Sequence, residues 1–399
     1  MKTATPPVRA ARTDGARIEL EDGRVLIDGM SSWWTACHGY NHPHIRAAVA
    51  EQLELMPHIM FGGLSHAPAE RLAARLAALA PGDLDHVFFS DSGSVCVEVA
   101  MKMAVQYWLN KGLSNRTRFI AFRGGYHGDT LGAMSACDPD EGMHAHFGSF
   151  MPQQIFADLP DTPQKLRALE QLLDQHREEL AGVMIEPLVQ GAGGMRMHSP
   201  ETLKALTDAV QSRGELLIAD EVFTGFGRTG TMFASEQAGV TPDIMCLSKA
   251  LTGGTMGLAA TVARRHVFDA FWADEAAKAL MHGPTFMANP LACAAANASL
   301  DLFASEPRLE QVKALESKLK ASLAPLRHAP GVMDVRALGA IGVIQFSAPV
   351  DSQALRTRFV ESGVWIRPFG DIVYLAPAFT ISDEELAALF KALKDVLTV

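Results

Sequence analysis

Leu216–Gly254, LLIADEVFTGFGRTGTMFASEQAGVTPDIMCLSKALTGG, is the stretch that decides the fold. Two apolar runs in it stop at a charge. Leu216-Leu217-Ile218-Ala219 ends in Asp220-Glu221, and Ile244-Met245-Cys246-Leu247-Ser248 ends in Lys249, with Gly253-Gly254 just beyond. Short apolar runs that stop at a charged residue and a turn read as buried parallel strands. In open α/β sheets, ligands bind outside the carboxyl ends of such strands. An acid and an amine there suit a cofactor that carries a cationic ring nitrogen and an aldehyde.

The same grammar extends outward. Runs at 86–90, 118–122 and 182–186 join 216–220 and 244–248, alternating with helical or irregular crossovers, which predicts an α/β fold with a mostly parallel sheet covered by helices on both faces. Helices are expected over 44–56, 68–79, from the Ser-Gly-Ser turn to about 110, 164–178 and 200–213. Residues 1–16 read as a loose lead-in, and 17–27 as a hairpin around Asp22-Gly23. Residues 138–165, with Pro139, Pro152, Pro160 and Pro163, read as a surface excursion. Helices over 290–303 and 307–323 lead to a closing α+β portion. It has strands near 332–347, 364–367 and 372–376, a helix over 351–362 and another from Ser382. The expected division is an N-terminal segment (1–45) joining the small domain, a large cofactor-binding domain (46–299) and a C-terminal small domain (300–399).

Two turns add chemistry. Ser90-Asp91-Ser92-Gly93-Ser94 lies between a strand and a helix, where outward N–H groups at the positive helix end cradle a phosphate. The blander reading is a plain N-cap. Gly124-Gly125-Tyr126-His127-Gly128-Asp129-Thr130 follows another strand. Its aromatic is placed to stack on a flat ring, with His127 read as a neutral structural histidine. Trp33-Trp34 reads first as core, with one indole lining a pocket as the sharper alternative. The pairs His42/His44 and His144/His146 lack helical ligand spacing, and no metal site is expected. Taken together, the acid, the amine, the phosphate turn and the aromatic fit pyridoxal phosphate. A lysine forms the Schiff base of that cofactor and an acid holds its pyridinium nitrogen.

Composition narrows the partners. A formal net charge of -10 argues against a nucleic-acid groove or an anionic membrane surface. Five scattered cysteines without a CxxC pair suit a reducing compartment. A polar N-terminus and the lack of any apolar run near 20 residues make a cytoplasmic protein acting on small molecules the expectation.

These residues resemble the fold-type I pyridoxal-phosphate enzymes and, more narrowly, the class III aminotransferases. Met30-Ser31-Ser32-Trp33-Trp34, His38-Gly39-Tyr40-Asn41-His42-Pro43, Met60-Phe61-Gly62-Gly63, Asp91-Ser92-Gly93-Ser94-Val95, Ser248–Gly254 and Trp365-Ile366-Arg367-Pro368-Phe369-Gly370 are similar to the branch of that family in biotin biosynthesis. The resemblance implies that Lys249 forms the Schiff base, Asp220 pairs with the pyridinium nitrogen and Tyr126 packs by the ring. It implies that Gly93 and Ser94 hold the phosphate, and that Pro284 and Thr285 complete the phosphate site across a homodimer interface. Trp33 and Gly283 line the substrate site, Arg367 takes the substrate carboxylate, and Asp129, Glu186 and Arg228 support them. The implied reaction is a ping-pong transamination of 8-amino-7-oxononanoate to 7,8-diaminopelargonate with S-adenosylmethionine as donor. The alternatives are lysine or another amine as donor, another ω-amino-acid transaminase or aminomutase, or a cofactor-binding protein without turnover. One departure stands out. Relatives of this branch carry an N-terminal His-Pro-Tyr tyrosine that closes the pocket, whereas the tyrosines here are Tyr40, Tyr107, Tyr126 and Tyr374.

Overall fold

The computed structural model describes residues 6–140 and 146–397. Strands β1 (Ala10–Asp14), β2 (Arg17–Leu20) and β3 (Val25–Asp28) form an antiparallel meander, with Gly23 at φ 86° in the turn the Asp-Gly pair predicts. The lead-in is therefore not wholly loose, since residues 10–14 pair with β2. That run is mostly exposed, so no burial pattern announces it.

The main sheet contains β4 (Leu84–Ser90), β5 (Arg118–Phe122), β6 (Ile155–Ala157) and β7 (Leu180–Ile185). After a small ribbon of β8 (Val189–Gln190) and β9 (Arg196–Met197), it continues with β10 (Leu217–Asp220), β11 (Ile244–Leu247) and β12 (Ala259–Arg264). The order is β4-β12-β11-β10-β7-β5-β6, with β12 antiparallel to both neighbours. The five strands expected from the sequence are present, within a residue or two. Two others are not in that reading. Strand β12 is rich in alanine, which has little preference for strands, and β6 is three residues inside the proline-bearing excursion. That excursion thus lends one strand to the sheet edge. His144 lies outside the described residues.

Helix Gly93–Asn110 covers one face of this sheet, burying Cys96, Val97, Val99, Ala100, Met103 and Ala104 against β11 and β12. The helices Pro163–Gln175 and Pro200–Gln211 cover the other face, each starting with proline at its first position and capped by Thr162 and Ser199. Because β10 and β11 are buried on both faces, they read as continuous apolar runs rather than as alternating ones.

Strands β13 (Val332–Leu338), β14 (Ile341–Phe346) and β16 (Ile372–Leu375) make a separate antiparallel sheet. The short β15 (Val364–Trp365) pairs instead with β3, in parallel, with Val364 opposite Ile27 and Trp365 opposite Asp28. The start and the end of the chain thus meet in one sheet, which sets the 29–34 segment beside the Arg367 turn.

The acidic pair that ends β10 has divided duties. Asp220 faces the carboxyl edge of the sheet. Glu221 turns inward, fully buried, and accepts from Ala234 N (2.7 Å), Ser235 N (2.9 Å), Ser235 Oγ (2.7 Å) and Thr224 Oγ1 (3.2 Å). It ties down the chain that returns to β11.

Candidate active site

Register brings the acid and the amine together. In the parallel pairing of β10 with β11, Asp220 lies opposite Cys246, three residues before Lys249. Both side chains therefore leave the same edge of the sheet. The buried Asp220 carboxylate accepts from Val222 N (3.1 Å) and lies 2.8 Å from His127 Nδ1. Burial opposes a charge on His127, but its hydrogen bond to Asp220 and the fields of Asp220 and Glu186 outweigh that penalty and raise its pKa. His127 thus bonds the key carboxylate, and that contact favours its charged form more than burial opposes it. No local signal links positions 93 residues apart.

Tyr126 shares that loop. Its N–H donates to Glu186 Oε2 (3.0 Å) and its hydroxyl to Asp129 Oδ1 (2.7 Å). Glu186, just past β7, also accepts from Gly191 N (2.9 Å), and burial pushes it up to about 7. Asp129 N donates to Ser94 Oγ (3.0 Å), so the loop is fastened to the turn that opens helix Gly93–Asn110.

That turn can hold an anion. Ser92 Oγ caps Val95 N, while the N–H groups of Gly93 and Ser94 find no acceptor among the described residues. A Cβ on Gly93 would lie 2.8 Å from Val222 Cγ1, two residues past Asp220, and 3.7 Å from Ser248 Cβ, next to Lys249. Only glycine lets the helix end come this close to both. Open N–H groups at a positive helix terminus, an amine and a carboxylate within one pocket are what pyridoxal phosphate requires, and the residues fit it.

Lys249 opens a short 3-10 turn with φ at 43°, a left-handed conformation that costs a residue bearing a Cβ about 1–2 kcal/mol. Its Nζ lies 4.2 Å from the centroid of the Trp34 ring and 5.6 Å from that of Phe223. Burial lowers its pKa from 10.5 to about 8, against the opposing fields of Asp220 and Glu186.

The two tryptophans part company. Residues 31–34 all have φ between 42° and 72°, forming one left-handed turn. Trp34 is buried against Phe223 (4.3 Å between centroids), whereas Trp33 is 55% exposed, with the Arg367 guanidinium 5.0 Å from its ring centroid. Core packing therefore holds for Trp34, while Trp33 is exposed beside Arg367. The indole beside Lys249 is Trp34, which the sequence reading did not single out. Arg367 is exposed and has no hydrogen bond or ion pair among the described residues, so its donors are open to an incoming carboxylate. Arg228 is fully buried. It donates to Pro377 O (2.9 Å), Ala340 O (3.4 Å) and Ser31 Oγ (3.1 Å), so it braces the tryptophan turn, and burial lowers its pKa to about 10.

Among the described residues, no hydrogen bond, ion pair or ring contact joins Gly283, Pro284 or Thr285 to this cluster. Beside them, Lys102 Nζ bonds Met281 O (2.8 Å), and Phe286 packs on His58 (4.4 Å). Gly283 and Thr285 face outward.

Comparison with known proteins identifies the family and the fold. A family model for aminotransferase class-III matches residues 1–397. The adenosylmethionine-8-amino-7-oxononanoate aminotransferases of Corynebacterium glutamicum and Mycobacterium leprae are each 47% identical over 98% of this chain, covering 94% and 91% of their own lengths. Among solved structures, the enzyme of that name from Methanocaldococcus jannaschii superposes with a TM-score of 0.94 at 31% identity, covering 98% of this chain and 93% of its own. An amine transaminase from an uncultivated Pseudomonas species, in its pyridoxal-phosphate-bound form, gives 0.93 at 32% identity, covering 98% and 95%. No helix among the described residues is long and apolar enough to cross a membrane. The chain belongs to the class III aminotransferases, with their fold-type I architecture and their pyridoxal-phosphate cofactor.

Proposed function

We propose that this enzyme aminates the ketone of 8-amino-7-oxononanoate to give 7,8-diaminopelargonate in biotin biosynthesis, with S-adenosylmethionine as the amino donor. The observation that carries the reading is full-length similarity, at 47% identity, to two curated relatives of that name. Overall shape cannot decide the substrate, since an amine transaminase superposes as well as a relative of that name. The local argument is Arg367. An exposed guanidinium lying on Trp33 with all its donors open suits a substrate with a free carboxylate. Following the cofactor absorbance while S-adenosylmethionine, lysine or alanine is added separately tests the donor. The band is expected to bleach with S-adenosylmethionine. Bleaching only with another amine sinks the donor assignment.

When bound, pyridoxal phosphate would supply an aldehyde that condenses with amines and a ring that serves as an electron sink. The chain's own groups do the rest. Gly93 and Ser94 would take the phosphate on open N–H groups. Asp220, bonded to His127, would pair with the pyridinium nitrogen. Tyr126, tethered by Asp129 and Glu186, would pack beside the cofactor. Lys249 would hold the aldehyde and, as a neutral amine, move a proton at the substrate carbon. Trp33 would bound the substrate and Arg367 would hold its carboxylate, while Gly283 would bound the substrate of a second copy.

Lys249 can act as that base only when neutral. A pKa near 8 means that the neutral fraction rises through pH 8, instead of through 10.5. Trace acetylation of the cofactor-free protein, read by mass spectrometry, should give Lys249 half its limiting reactivity near pH 8, well below the reference lysine value of about 10.4. A midpoint for Lys249 above 10 would contradict the assigned burial effect.

Arg367→Lys keeps the charge but loses the fork that binds a carboxylate bidentately. KM for the keto acid should rise about tenfold, with kcat nearly unchanged, because the lost contact is made equally in ground and transition states. An unchanged KM would remove Arg367 from the site.

Thr285, exposed, and Pro284, half-buried, complete the site of a second copy in a homodimer. Mixing Lys249→Ala with Thr285→Glu, each inactive alone, should restore about a quarter of wild-type activity, since half of randomly re-paired dimers carry one intact site. No recovery after verified subunit exchange would place Thr285 in its own chain's site.

A further inference from the structure

A conformation that side chains rarely adopt is held here by one buried carboxylate. Asp28, at the end of β3, is 1% exposed. Its Oδ1 accepts from Met30 N (2.7 Å), and its Oδ2 accepts from Ser32 N (2.9 Å) and from the Tyr40 hydroxyl (2.7 Å). These are charge-assisted bonds to the backbone on either side of Ser31, where the left-handed run begins. Ser31 Oγ donates to Ala376 O (2.7 Å), and Ala376 N donates to Gly29 O (2.7 Å), so the turn is also sewn to the chain beyond β16. Within four residues, the turn sends one indole to Lys249 Nζ and its neighbour to the Arg367 guanidinium. A right-handed or extended path through 31–34 would carry the indoles away from both cations.

We propose that Asp28 is a positioning residue for substrate binding. Its carboxylate holds residues 31–34 in the left-handed turn that sets Trp34 against Lys249 and Trp33 against Arg367. The inference rests on the reading of Arg367 as the carboxylate anchor, and it extends that reading to the residue that fixes the anchor's platform. Asp28 touches neither cation and acts only through the turn. Its place opposite Trp365 in the β3–β15 pairing, two residues before Arg367, sets the platform and the anchor from one strand register.

The test is Asp28→Asn, with two companions. An asparagine can orient its single oxygen toward only one of the two backbone donors, so in either flip its NH2 meets an N–H. Three results are expected. In the cofactor-free protein, the near-UV circular dichroism of the tryptophans falls while the far-UV spectrum is retained. In the holoenzyme, KM for 8-amino-7-oxononanoate rises about tenfold or more, while KM for its methyl ester, which lacks the carboxylate charge, changes less than about threefold. Adding Ser32→Gly, which takes a left-handed φ without a Cβ penalty, recovers part of both signals. Should Asp28→Asn fail to fold, Tyr40→Phe removes a single bond to the same carboxylate and should show the same changes at smaller size.

An unchanged tryptophan spectrum in the folded variant overturns the proposal. So does an equal rise in KM for acid and ester, or no recovery with glycine. If the wild-type enzyme does not aminate the keto acid, the reading of function fails, while the spectrum of the cofactor-free protein still decides the role of Asp28.

Discussion

An amine and a carboxylate must share a water-poor pocket at a fixed spacing, and the parallel pairing of two short, doubly buried strands achieves this. Asp220 opposite Cys246 is a single register, and a slip of one residue would turn every side chain of β10 to the other face. Glu221 shows what such a slip would put at risk. It is an acid one position along that points the other way and binds the 234–235 backbone and the hydroxyls of Ser235 and Thr224. Chemistry and stability are thus written in adjacent residues and separated by the pleat.

The pocket then tunes the pair unequally. Burial works against charge on Lys249 and leaves it a usable base near pH 8. The same burial acts on His127, yet there the hydrogen bond to Asp220 wins and the charged form is favoured. The difference is contact. His127 bonds the carboxylate at 2.8 Å, whereas Lys249 rests on aromatic faces and feels the acids only through their fields. One acid, through two kinds of proximity, favours a proton on one neighbour while the other can release its own.

Much of this was legible in the chain. Two apolar runs ending in Asp220 and Lys249, the Ser-Gly-Ser turn and the Gly-Gly-Tyr turn each carry a local signal, and the structure gathers them at one edge. Strands β6 and β12 escaped because a three-residue run and an alanine-rich run look alike in a helix, a strand or a loop. The His127–Asp220 bond and the Trp34–Lys249 contact escaped for another reason. They join residues 93 and 215 positions apart, and no periodicity encodes a pairing that only the assembled sheet creates. The left-handed run at 31–34 was the hardest to see, since serine and tryptophan give no hint of a positive φ. Its cause lies in Asp28, whose sequence position looks like an ordinary strand end.

Reaction and selectivity are therefore held by different sheets. The acid, the amine and the phosphate turn hang from the main parallel sheet. Trp33 and Arg367 hang from β3 and β15, where the two ends of the chain pair. Substitutions on the second sheet would reach Trp33 and Arg367 without touching Asp220 or Lys249. The tryptophan turn couples the two, because adjacent residues in it touch Arg367 on one side and Lys249 on the other. A strained backbone suits that post. A relaxed turn has many neighbouring conformations, whereas a left-handed one survives only while Asp28, Arg228 and Ala376 all hold it, so the two indoles shift together or not at all.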